Sequence, residues 1–291
     1  SSTSRGLGDV YKRQILVRQF NAPDNTNYII GWECFPTKGW GGINPTQSLV
    51  DAFECIDGAP ISKSSLYKEN DPFTNRDPRL EVCVLHDGEE MYGTVIKVAP
   101  LKSSGNTGIA QHGDATATGY YQQKWLDPSI DPQSTGWDMG KDWHVIRFAE
   151  VLLTYAEAKN ETTPLDDSAF EAVNRVRRRA GIPELQKTDA SKPTYCGTQD
   201  ELRQRIRNEW RVEFALEGGK RQWDIRRWGI ASEVLNAPFL GLKYKLVDDP
   251  SSPDGQRCIL YEGENIKLTG SRYSDHNYVY PVPQSEIDLN P

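Results

Sequence analysis

The chain has 291 residues, with 34 Lys and Arg against 41 Asp and Glu for a net charge of −7, and 37% of its residues are hydrophobic. That length supports one large domain or two modest ones, and the acidic balance excludes a dedicated nucleic-acid binder, whose field is strongly positive. No apolar run approaches the roughly 18 residues of a membrane-spanning helix, so the composition is that of a globular, loop-rich chain.

The opening SSTSRGLGDVYKRQ (1–14) lacks the apolar stretch of a signal peptide. It resembles a translated sequencing-adaptor read-through and is expected to be non-native; with the abrupt stop at DLNP, the chain is expected to be a fragment. Residues 15–140 are expected to form a loop-rich layer, because NAPDNTN, DPFTNRDPR, KSSGNTGIAQHGD and LDPSIDPQSTG are all turn chemistry. Within it NPTQSLVDAFE (44–54) predicts a short helix with Thr46 as N-cap and Leu49, Val50 and Phe53 behind it. LEVCVLH (80–86) and GTVIKVA (93–99) flank DGEEMY and predict a hairpin.

From 141 to 230 the periodicity is helical. Residues 142–161 put Ile146, Ala149, Leu153 and Ala156 on one face, widened by Phe148, Leu152 and Tyr155. Pro164 bars continuation. A second helix starts at Asp167 or Ser168, with the stripe Phe170, Val173, Val176 and Ala180, and stops at Gly181 before Pro183. Its terminal Arg175, Arg177, Arg178 and Arg179 sit where cations favour the helix dipole. The third opens on Thr198 and Glu201, a capping box, carries Leu202, Ile206, Trp210 and Phe214, and ends at Gly218-Gly219. A short fourth, KRQWDIRRW, holds Trp223, Ile225 and Trp228. Short connections between such helices predict antiparallel hairpins like tetratricopeptide units. Residues 231–291 are mixed, with a strand at CILYE (258–262) and an extended, Pro-broken end, and are expected to pack on the helices. Residues 15–291 are expected to form one incomplete domain.

Five widely spaced cysteines (Cys34, Cys55, Cys83, Cys196 and Cys258) include no C-x-x-C, so they read as buried thiols rather than zinc ligands. No G-x-S-x-G, H-E-x-x-H or phosphate loop is present. The doublets Asp248/Asp249 and Glu89/Glu90 fit solvated turns better than a glycosidase pair. DPSIDPQSTGWD lacks the calcium-loop spacing, which leaves the question of a metal open, and no cofactor is expected.

HVIRFAEVLLTYAEAKNE, AVNRVRRRAGIP, LRQRIRNEWRVEFALEGGKRQWDIRRWG and YVYPVPQSEIDLNP, in that order, resemble the C-terminal half of a SusD/RagB family protein. NPTQSLVDAFECIDGAPI and DPFTNRDPRLEVCVLHDG are similar to that family's middle region. The resemblance departs locally: EGGKRQWD is one residue longer than the usual turn, and Gln222 stands where an aromatic is common. It implies a mainly α fold, tetratricopeptide-like helical hairpins with an irregular loop-rich second layer containing short strands, and it makes residues 15–140 the ligand-binding layer. It implies a non-enzymatic outer-membrane lipoprotein on the cell surface. Such a protein binds oligosaccharide or another nutrient for a TonB-dependent transporter, attached by a lipidated N-terminus that this chain lacks. A helical-repeat adaptor for protein partners, without its own glycan site, is the alternative.

Sugar recognition needs flat apolar rings on loops and planar polar groups for hydroxyls. IIGWECFPTKGWGGIN (29–44) supplies Trp32 and Trp40 on a Gly-rich loop, with Asn44 either bonding hydroxyls or helping to cap the 46–54 helix. Core burial competes for both rings; for Trp125 and Trp137, on similar loops, it is the favoured expectation. The most basic and aromatic stretch, 207–229, is expected not to touch ligand. There Trp210 and Phe214 share the helical phase of Leu202 and Ile206, Arg207, Arg211 and Glu213 fall on the flanks, and Glu209, Glu213 and Glu217 are in reach as ion-pair partners. Trp223 and Trp228 are expected to pack the last segment against the preceding helices.

Overall fold

The structure is a computed structural model that describes residues 14–28, 33–136, 140–270, 272–279 and 282–289. The loop-rich first part carries β1 (Gln14–Arg18), α1 (Gln47–Ala52), α2 (Pro78–Cys83), β2 (Val84–Leu85), β3 (Glu90–Met91), β4 (Thr94–Val95) and β5 (Tyr121–Gln122). Then follow β6 (Trp143–Arg147), α3 (Phe148–Thr162), α4 (Asp167–Ala180), α5 (Gln199–Glu213) and α6 (Lys220–Arg227). The chain continues through α7 (Ala231–Asn236), β7 (Phe239–Asp248), β8 (Gln256–Leu260), β9 (Glu264–Leu268) and α8 (Gln284–Leu289).

The helical layer forms as its apolar phase dictates. Leu153 and Ala156 of α3 meet Phe170, Val173 and Val176 of α4 and Leu202, Ile206 and Trp210 of α5 in one buried cluster. Asp166 caps α4, Gly181 ends it with φ 78°, and Thr198 and Glu201 close a reciprocal capping box on α5. A second cluster fills the loop-rich layer, around Phe35, Phe53, Leu80, Leu85, Ile96, Tyr120 and Tyr121. Val212 and Ala215, at the end of α5, belong to this second cluster. The fold is thus mainly α, tetratricopeptide-like hairpins under an irregular layer with short strands.

Five local expectations are corrected. Residues 80–83 are helical, not extended: the Asp77 carboxylate accepts from Arg79 N–H and Pro78 takes the first helical position, a start signal that outweighs the β-branched run. The hairpin is instead β3–β4, turning through Tyr92 and Gly93, both at positive φ, while β2 pairs with the distant β5. Residues 143–147 form β6, antiparallel to β1, so the helix begins only at Phe148. A strand partner over a hundred residues away leaves no trace in local periodicity. On α3 the Tyr155 ring is 48% exposed rather than part of a buried face, its hydroxyl hydrogen-bonded to Ser168. Trp223 is 57% exposed, while Ile225 is buried and Trp228 packs on the helical core and donates to Glu157 at 2.7 Å.

The C-terminal segment divides. The β8-β7-β9 sheet sends Leu242, with Tyr244, Leu260 and Ile266, into the core of the loop-rich layer rather than onto the helices. Tyr273 and Tyr278 do meet the helical side, through Asn236, Arg226 and the Ser232 N–H. Residues 284–289, read as extended, are helical. Among the described residues no helix is long and apolar enough to cross a membrane.

The two layers are joined by buried ions. Glu209 and Glu213, one turn apart on α5, and Glu217 beyond it all face inward. Glu209 accepts from Arg79 of α2 at 2.5 Å and Arg177 of α4 at 2.9 Å. Glu213 takes Arg79 at 3.1 Å, Arg147 of β6 at 2.8 Å, and Arg179. Glu217 takes Arg147 at 2.8 Å and Lys124 at 2.6 Å. Arg177, 1% exposed, also holds Glu54 at 2.9 Å. Glu213 is therefore no flank residue, and Arg177 and Arg179, in the last turn of α4, also serve as counter-ions for the packed layers.

Candidate functional site

The loop after Glu33 is pinned at its base. Phe35 is buried against Tyr92 and Tyr121, with ring centroids 6.4 and 6.2 Å away. The Gly41 N–H donates to the Cys34 carbonyl at 2.7 Å. Lys38 pairs with Asp131 at 2.5 Å, and that contact lowers the Asp131 carboxyl against a smaller opposing effect of burial. Asn44 spans two loops: its Nδ2 donates to the Gly41 carbonyl at 2.9 Å and its Oδ1 accepts from Ala117 N–H at 2.9 Å. It thereby fixes 39–44 against 112–118, and makes no side-chain cap to α1.

On this frame the Trp40 ring is half-buried and sits 5.8 Å from the Tyr28 ring, tilted by 44°. Tyr28 is 43% exposed. Two adjoining rings of this kind make a surface on which sugar C–H faces can lie. Tyr28 is the residue the sequence does not announce: it follows an Asn-rich turn, twelve positions from Trp40, with no periodicity to link them. Trp32 and Trp137 lie outside the described residues. Trp125 is in the core, stacked on Trp143 at 4.8 Å and donating to the Leu216 carbonyl at 2.9 Å.

Glu33 is buried at the root of the loop. Burial raises its carboxyl to about 7, against the weaker pull of Gln122 and Lys141. Glu33 Oε2 and Gln122 Oε1 are both buried without a hydrogen-bond partner among the described residues, and a protonated Glu33 carries a donor of its own. Between about 4.5 and 7 the folded chain keeps a proton that the unfolded chain has lost, so stability falls as pH rises through that window. Glu33→Gln is expected to raise stability by about 1–3 kcal/mol near pH 8 and to leave it unchanged near pH 4, read from urea midpoints. An equal shift at both pH values would contradict this assignment.

A cleft of ≈ 600 Å³ runs along β6 and the end of α4. Most of its cations are engaged: Arg147 and Lys124 with Glu217, Arg179 with Glu213, Arg178 with Glu171 and Glu184, Lys141 with the Trp125 carbonyl at 2.7 Å, and Arg175 over the Phe148 ring. Burial pushes the thiol of Cys34 to about 12 and those of Cys196 and Cys258 to about 11, so these unpaired cysteines are poor nucleophiles. Glu89 and Asp249 serve local turns, accepting from the His86 and Ser251 N–H groups. Among the described residues no group of three or more His, Cys, Asp or Glu is placed to hold a metal.

A family model described as the SusD family matches residues 12–291. The chain belongs to the SusD family. SusD-like protein P2 of Formosa agariphila is 37% identical over 104 residues, 35% of this chain and 20% of that protein. A SusD-like carbohydrate-binding protein from Bacteroides fragilis superposes with a TM-score of 0.73 at 26% identity, covering 96% of this chain and 53% of its own. A second SusD-like protein from B. fragilis gives 0.69 at 27%, covering 98% and 54%. This SusD-family chain thus spans about half the length of the solved relatives it matches. The Tyr28–Trp40 pair and its Asn44 brace belong to the loop-rich layer of that fold.

Proposed function

We propose that this protein binds oligosaccharide, or another nutrient, without catalysis at the bacterial surface, and passes it to a TonB-dependent outer-membrane transporter. The observation that carries the proposal is the Tyr28–Trp40 ring pair on a loop braced from both sides by Asn44. Stacking on rings is tolerant of sugar identity, which suits a surface that collects a polymer. The naming of a similar solved protein as carbohydrate-binding supports the ligand class. Attachment by a lipidated N-terminus would keep the site at the membrane surface.

Affinity electrophoresis through gels containing neutral plant, algal or host polysaccharides tests the proposal. Retardation in at least one gel, relative to a non-binding protein of similar size, is expected. The adaptor alternative draws on Val151 and Tyr155 of α3 and Val145 and Ile146 of β6, which leave apolar surface open. It predicts no retardation in any gel and a protein partner competed away by substitution of Val151 and Tyr155.

A further inference from the structure

Between α1, the 61–72 loop and the β7–β9 pair lie two adjoining recesses, of ≈ 430 and ≈ 260 Å³, that share Glu69, Lys243 and Tyr261. The smaller is lined by Gln47, Asp51, Tyr67, Tyr120 and Asn265. Its polar groups are held rigidly. Gln47 and Asp51 stand one helical turn apart, and the Gln47 amide donates to Asp51 Oδ1 at 2.8 Å while accepting from the Tyr120 hydroxyl at 2.7 Å. That chain leaves Asp51 Oδ2 with no hydrogen-bond partner among the described residues.

Asn265 gives its Nδ2 to the Gly241 carbonyl at 2.8 Å, which leaves its Oδ1 to accept. The Arg76 guanidinium lies over the Tyr67 ring at 5.5 Å and is itself fixed by the carbonyls of Val50 at 2.6 Å and Phe53 at 2.8 Å. Tyr67 is thus a ring with a rigid backing. Burial raises the Asp51 carboxyl above its ordinary value in spite of Gln47 and the Arg76, Arg211 and Lys243 charges. A half-buried acceptor of this kind gains most from donors brought by a ligand. At the mouth, Lys243 of β7 pairs with Glu69 of the loop, and both are solvent-exposed, so parting them costs little.

We propose that this recess is a second carbohydrate site, taking one neutral pyranose ring. Tyr67 meets a C–H face of the ring, Asp51 and Asn265 accept from its hydroxyls, and Lys243 donates from the rim. Asp51, Glu69 and Glu262 around the opening disfavour uronic or sulfated rings. The ligand class rests on the glycan-binding proposal above; the site uses none of the Tyr28–Trp40 residues.

Saturation-transfer NMR with millimolar glucose, galactose and mannose, and with glucuronate as the charged control, tests it in a Trp40→Ala background, where the ring platform is gone. At least one neutral sugar is expected to give transfer, and glucuronate none. Adding Asp51→Asn should weaken that signal about ten-fold, Tyr67→Ala should abolish it, and Tyr67→Phe should keep it, since the ring rather than the hydroxyl makes the contact. No transfer from any neutral sugar, or transfer that survives both Asp51→Asn and Tyr67→Ala, overturns the second site. Gel retardation of the parent protein is read separately: its absence alongside a Tyr67-dependent signal would remove the platform and leave this recess standing.

Discussion

Glu213→Ala is expected to destabilise the protein by about 3–5 kcal/mol, the usual cost of stripping a buried charge from its partners. A typical domain has only ~5–15 kcal/mol in hand. Glu213 is the meeting point of Arg79 from the loop-rich layer, Arg147 from β6 and Arg179 from α4. Removing it takes the acid partner from Arg179 and leaves Arg79 with Glu209 and Asp77, and Arg147 with Glu217, each short of one buried countercharge. Burial alone would raise the Glu213 carboxyl, but Arg179, Arg147 and Arg79 overcome it and hold the group at about 2. A depressed folded pKa means that the stabilisation is complete above the unfolded value of 4.5 and is lost as pH falls toward 2. The parent should therefore lose stability progressively across that acid window. Urea titrations followed by circular dichroism read both effects; a loss below about 1 kcal/mol would mean that the layers are not joined through this residue.

The second large effect is Gly41→Ala. Gly41 has φ 55°, and a Cβ placed there would lie 2.2 Å from the backbone carbonyl oxygen of Asp114. The left-handed backbone costs a residue with a side chain about 1–2 kcal/mol, and forcing apart two packed loops adds about 1–3 kcal/mol. Because backbone is the obstacle, no rotamer change relieves it. The 39–44 loop must move away from 112–118, breaking the Asn44 brace and displacing Trp40 from Tyr28. A lowered thermal midpoint together with lost retention on a polysaccharide gel is expected. An unchanged midpoint would show that the loops are not locked as described.

The helical layer was legible because its determinants are local. The stripe of Phe170, Val173 and Val176 and the Thr198–Glu201 capping box lie within a few residues of the contacts they make. Segments whose partners are remote carry no such local signal. Trp143–Arg147 fits a helical phase as well as a strand, and only β1 decides between them. Glu213 looked like an amphipathic flank because its counter-ion Arg79 is 134 positions away. Leu80–Cys83 is different: Asp77-Pro78 carries a local helix start that outweighs the apolar run after it. Within α6 the buried residues are Asp224 and Ile225, while Trp223 is exposed. At the site, the glycine-rich setting of Trp40 could be read directly, whereas Tyr28 became visible only once the loops were folded together.

Trp40→Ala, run by affinity electrophoresis in a gel that retards the parent, tests the platform most directly. Asn44 and Phe35 keep the loop base in place without the indole, so the circular dichroism spectrum should match the parent while retardation disappears, a loss of about 2 kcal/mol or more in binding. Retardation equal to the parent's, in a correctly folded variant, would contradict the placement of the sugar on Tyr28 and Trp40.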